Sequence, residues 1–270
     1  KYSKKIIAII TPELVSDYYT GFVERLQEII EANSGIAIIS ADHFSPGKQA
    51  ELVEYFASYL KVDGIIVFGL QCQLKKGYNT PIVSIFSTVD TSVDTININC
   101  KSALFDAVKL LMDFGHKKIA FLGEKLTERK AHYFQAAIEH AGADPQYVIE
   151  SPYRFEKAGI DGIKQLLKMN TDCTAIICAY DNIALGAIKE LKKQNLRVPE
   201  DFSIIGIDNI TVSQYMETSL STIGVNLDEV CMIAWDLLNK KMSNKFFRCN
   251  QQISINGNLI IRESVARLNE

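Results

Sequence analysis

The chain has 270 residues, 47% hydrophobic and 23% charged, with a formal net charge of -3. Such a balance suits a globular protein of one large domain or two ordinary lobes, each with an apolar core. It offers no basic excess for gripping nucleic acid directly, and no apolar run approaches the roughly 20 residues of a membrane span. From the N-terminus, IIAII (6–10) reads as a parallel strand buried on both faces. DYYTGFVERLQEIIEANSG then sets Tyr19, Phe22, Val23, Leu26 and Ile30 on one helical face, with Asp17 as N-cap and Gly35 beyond the helix end. Strand IAIIS (36–40), helix PGKQAELVEYFASYL, and strands DGIIVFG (63–69) and TPIVSIF (80–86) continue the alternation.

The rhythm restarts after residue 100. KSALFDAVKLLMDFG is a helix closed by Gly115, KIAFLG (118–123) a strand, and 127–142 a helix. YVIES, EKAGIDGIKQLLKM, TAIICAY, DNIALGAIKELKKQN and DFSIIGID repeat strand and helix in turn, before one last helix (LDEVCMIAWDLLNKKM) and two final strands. This predicts an α/β protein of two lobes, each a parallel sheet flanked by helices, since one sheet of ten or more strands is unusually wide. The tail returns to the first lobe and then to the second. The expected division is 1–116 with about 224–250, and 117–223 with about 251–270, joined by a multi-strand hinge.

No catalytic signature is present, so the chain is not expected to be an enzyme. ITPELVSDYY stands where a G-x-G-x-x-G would follow the first strand, and there is no P-loop and no G-x-S-x-G turn. The histidines His43, His116, His132 and His140 lack metal-ligand spacing, so no metal or other cofactor is implied. The six cysteines, Cys72, Cys100, Cys173, Cys178, Cys231 and Cys249, form no C-x-x-C pair and read as small buried hydrophobes of a reducing compartment. That favours the cytoplasm. No signal peptide is visible, and the abrupt start suggests either a processed secreted protein or a domain cut from something longer.

What remains is polar and aromatic chemistry at strand ends, where open α/β sheets bind ligands. Tyr18 and Tyr19 are either core aromatics behind a helix cap or a wall for a sugar ring or base. Tyr180 stands at the tip of TAIICA, and Asp181 after it reads as the N-cap of the following helix. Arg129 and Lys130 sit in EKLTERKAH, solvated or clamping ligand hydroxyls. Asp208 ends RVPEDFSIIGIDN, an apolar strand with no internal use for an acid. It is either a turn or cap for the next segment, or a carboxylate accepting hydrogen bonds from a ligand.

GHKKIAFLGE (115–124), DNIALGAIKELKKQNLRVPEDFSIIGIDN (181–209), LSTI (220–223) and LIIRESV (259–265) together resemble the lactose-repressor/galactose-repressor family, in order and spacing, over nearly the whole chain. The resemblance implies a two-lobed fold like the periplasmic sugar-binding proteins. It also implies a role as the effector-binding and dimerising core of a transcriptional regulator whose N-terminal helix-turn-helix is absent here. The expected partners are a small effector, a sugar before a phosphate, operator DNA through the absent domain, and a second copy of the chain. A transporter's secreted sugar-binding protein is the other reading of the same fold. Carried over by motif, Asp208 contacts effector, Tyr18–Tyr19 match an aromatic pair, and Tyr180 replaces a polar contact. In RKAHYFQAAI strict spacing lands on Lys130, with Arg129 one residue early but better suited as a fork and slightly favoured.

Overall fold

Ile7, Ala8, Ile9 and Ile10 have no solvent exposure in β1 (Ile6–Thr11), as the unbroken apolar run predicts. The computed structural model describes residues 4–75, 78–143, 147–243 and 249–268. β1 lies between β2 (Ile36–Ala41) and β3 (Gly64–Phe68), both parallel to it, and β4 (Ile82–Ile85) and β5 (Asp94–Asn99) follow in parallel. With β11 (Gln252–Asn256) the first sheet has the order β11-β5-β4-β3-β1-β2. Helix α1 (Asp17–Ala32) buries Phe22, Leu26 and Ile30, each worth about 1.5–3 kcal/mol of transfer free energy. Ser16, not Asp17, occupies its N-cap: Ser16 is extended (φ -90, ψ 126), and Asp17 is the first helical residue, where its charge meets the helix dipole. α2 (Pro46–Glu54) starts on a Ser45 side-chain cap to the Lys48 amide and continues into a π-helical turn over Tyr55–Leu60.

The second sheet, β12-β10-β9-β8-β6-β7, comprises β6 (Ile119–Glu124), β7 (Val148–Ser151), β8 (Ala175–Cys178), β9 (Ser203–Ile207), β10 (Ser221–Gly224) and β12 (Asn258–Ile260). All pairings are parallel except β10 with β12. α3 (Lys101–Asp113), α4 (Glu128–His140), α5 (Phe155–Lys168) and α6 (Asp181–Lys193) belong with it. Buried His116 lies 2.9 Å from Thr174 Oγ1 through Nδ1 and 2.9 Å from the Ala266 carbonyl through Nε2, fastening the C-terminal segment to this sheet.

The chain forms two compact units, Lys1–Asn99 with Asn226–Ile255 and Cys100–Val225 with Asn256–Glu270, and passes between them three times. The first division falls one helix earlier than the expected boundary at 116. The reason is packing: Leu104, Val108 and Leu111 of α3 are buried in the same cluster as Ile119, Phe121 and Phe134 of the second unit. β5 was not expected. Its sequence DTININ carries an acid and two asparagines, which mask the strand signal. The acid is Asp94, fully buried, with Lys241 Nζ of α7 (Leu227–Ser243) at 2.8 Å and the Gln251 amide donating at 2.6 Å. Removing one partner of a buried ion pair leaves the other desolvated and uncompensated. Lys241→Met is therefore expected to lower unfolding stability by about 3 kcal/mol, read from the midpoint and slope of urea denaturation.

Candidate functional site

Parallel strands deliver their C-terminal ends to one edge of a sheet, and in the second unit that edge gathers Glu124 from β6, Tyr180 after β8 and Asp208 after β9. Asp208 has φ +117 and Asn209 φ +54, a left-handed turn that asparagine and aspartate tolerate better than other non-glycine residues. Arg262 donates to Asn209 Oδ1 at 2.7 Å and to the Leu220 carbonyl at 2.6 Å, clamping the turn from one side. Asp181 clamps it from the other, accepting the Ile210 amide at 2.9 Å and the Thr222 hydroxyl at 2.6 Å. Asp181 is thus not the N-cap of α6, a place Tyr180 takes; it is a fully buried brace between three strand ends. Its carboxylate lies directly over Gly206, where a Cβ would come within 2.1 Å of Oδ1, so β9 admits only glycine there.

The cation beside Asp208 is Lys130, whose Nζ is 3.2 Å from Asp208 Oδ1, 2.7 Å from the Ala179 carbonyl and 4.9 Å from the centre of the Tyr180 ring. Arg129, slightly favoured from its fork geometry, is exposed instead. One residue along a helix is a turn of about 100°, so strict spacing in the motif, which pointed to Lys130, outweighs the chemistry of the side chain. Burial raises the Asp208 pKa, and Lys130 works against that rise. The Tyr180 hydroxyl donates to Glu124 Oε1 at 2.5 Å, and burial followed by that carboxylate pushes its ionisation far above the usual tyrosine range. Glu124, itself buried, also accepts the Leu126 amide and stands 3.6 Å from Arg154 Nε, whose guanidinium lies 4.4 Å from the Phe155 ring.

In the first unit Tyr18 and Tyr19 are half-buried members of a ring cluster. Tyr18 stacks on Phe86 (5.9 Å, 26°) and meets Phe22 edge-on, and Tyr19 meets Phe44, Phe68 and Phe86 edge-on. Phe44 and Phe86 have φ of +57 and +75, and Phe155 of the second unit has +54. A left-handed phenylalanine is a conformational outlier, and strained backbone of this kind concentrates where ligands are held.

Glu124, Arg154, Arg262, Phe44 and Phe86 were not singled out from the sequence. Glu124 could have been: it ends the apolar run IAFLG with an acid, the same pattern that exposed Asp208.

Residues 108–265 match the model of the periplasmic binding protein-like domain. Among curated proteins, the HTH-type transcriptional repressor CytR of Escherichia coli K12 is 28% identical over 276 residues, covering 98% of this chain and 80% of the repressor. The solved transcription regulator CcpA of Lactococcus lactis superposes with a TM-score of 0.79 at 25% identity, over 97% of this chain and all of that one. A LacI-family regulator of Enterococcus faecium with bound ribose gives 0.84 at 20% identity, over 98% of this chain and all of that one. The chain belongs to the periplasmic binding protein-like domain family, as the effector-binding domain of a LacI/GalR-type transcriptional regulator. The transporter reading falls on the same comparisons.

Burial, followed by the nearby Asp208 charge, raises the Asp181 pKa to about 7. Protonated Asp181 therefore favours the fold. The contribution is whole below the unfolded carboxyl value of about 3.9 and is lost as pH rises through about 7. Asp181→Asn, which can keep both hydrogen bonds without ionising, is expected to gain stability relative to the unsubstituted chain between pH 5 and pH 8. Urea unfolding at the two pH values measures this; an equal difference at both would show that Asp181 does not titrate there.

Proposed function

We propose that the chain binds a neutral, hydroxyl-rich effector, a sugar above all, through Asp208, Lys130 and Tyr180 of the second unit; in the first unit Tyr18 and Tyr19 are proposed, by themselves, as ring contacts for the same class of ligand. The observation that carries this is Asp208 itself. A carboxylate at a strand end, in strained left-handed backbone and held by one lysine at 3.2 Å, keeps lone pairs with which to accept two adjacent hydroxyls. Aromatic faces such as that of Tyr18 suit the C–H face of a pyranose or furanose ring. The ribose seen in the Enterococcus faecium regulator supports the same class. Arg129 is left out of the contact set because it is exposed.

The role is recognition without turnover, in a cytoplasmic, homodimeric regulator that meets its operator through a helix-turn-helix domain; the similarity to the Escherichia coli HTH-type repressor supports the helix-turn-helix part of this reading. Effector and operator affect each other only through their unequal affinities for two states of the protein, a coupling typically of about 1–3 kcal/mol.

A thermal-shift screen against monosaccharides, disaccharides, sugar phosphates and purines is expected to pick out a neutral sugar, since a bound ligand raises the midpoint by linkage. In titration calorimetry Asp208→Ala is expected to weaken that sugar's binding tenfold or more. Unchanged affinity would remove Asp208 from the site.

A further inference from the structure

Glu124 is a buried acid to which the effector reading gives no role. Its Oε1 accepts the Tyr180 hydroxyl at 2.5 Å and its Oε2 the Leu126 amide at 2.9 Å. Arg154 Nε lies 3.6 Å away. Lys130, 4.9 Å from the same tyrosine ring, sits 3.2 Å from Asp208. Lys130 and Arg154, the two cations nearest the Tyr180 ring among those described, therefore each stand beside a carboxylate, whereas Arg262 is spent on the Asn209 side chain and the Leu220 carbonyl. The Tyr180 hydroxyl is committed as a donor to Glu124, so what it offers a ligand is its ring.

We propose that Glu124 is a specificity-determining residue that turns away phosphorylated effectors. The inference rests on Tyr180 and Asp208 contacting effector, as proposed above. A phosphoryl group brought against Tyr180 would stand one ring away from a second, buried negative charge, in surroundings where like charges are poorly screened. It could bind Lys130 or Arg154 only in competition with the acid already beside each. A neutral hydroxyl group meets no such opposition. Specificity then comes from a charge built against the wrong ligand as much as from contacts to the right one.

The test compares D-ribose with D-ribose 5-phosphate by titration calorimetry on the unsubstituted chain, Glu124→Gln, Glu124→Met and Tyr180→Phe. The unsubstituted chain is expected to favour D-ribose. Glu124→Gln keeps an acceptor for Tyr180 but drops the charge, and is expected to move the affinity ratio tenfold or more towards the phosphate. Glu124→Met, free of charge and of any acceptor, is expected to move it the same way, so the result does not hang on one variant folding. Tyr180→Phe keeps both the acid and the ring, and is expected to leave the ratio in favour of D-ribose. A Glu124→Gln chain that loses or gains both compounds in parallel would overturn the proposal and leave Glu124 a structural residue. So would an unsubstituted chain that already prefers the phosphate. Binding of neither compound to the unsubstituted chain would overturn the inference as stated for ribose, and only a screen in which no neutral sugar binds would bring down the sugar reading itself.

Discussion

Asp181 enters the second unit on the first turn of α6, has no exposure to solvent, and holds β9 and β10 together at the point where both end. One oxygen accepts from Thr222 of β10 and the other from the amide of Ile210, just past β9. The strand beneath it gives way by carrying glycine at 206. Between those two hydrogen bonds the backbone turns through Asp208 and Asn209 at positive φ, a conformation sparsely populated by residues other than glycine. The polar edge of the unit therefore depends on a buried acid that itself touches nothing outside the fold.

Two acids a few residues apart in space cannot both be freely ionised without help. The structure divides the burden. Asp208 has Lys130 in contact with it, whereas Asp181 is held by dipoles, the Thr222 hydroxyl and the Ile210 amide, and feels Lys130 only as its weakest influence. A group beside a cation can keep its charge and remain a strong acceptor, and one supported by dipoles is more easily protonated. At Asp208 burial still raises the pKa, and Lys130 offsets part of that rise.

The alternation of strands and helices was legible because buried parallel strands are continuous apolar runs, and because helices show their period through residues such as Phe22, Leu26 and Ile30. β5 escaped because its buried Asp94 is made tolerable by a lysine more than half the chain away, and local pattern carries no trace of that. The placement of α3 escaped for a related reason: an apolar face shows that a helix is packed, without showing on which sheet. At the edge of the second sheet, Asp208 was legible as an acid ending an apolar strand. Lys130 was separable from Arg129 only by helical geometry. The left-handed backbone of Phe44, Phe86 and Phe155 left no mark in the sequence, since none of them is glycine.

The Asp94–Lys241 pair also bears on the order in which the protein can be completed. The first unit is built from residues 1–99 together with 226–255. As the chain is synthesised, its first sheet acquires a carboxylate with no cation to accompany it into the interior until α7 has emerged. The second unit lacks only its last short strand and tail at that stage. The segment made first is accordingly the one finished late, and a ribosome that stalls in the middle of the message leaves an N-terminal half with a buried-charge problem it cannot solve alone.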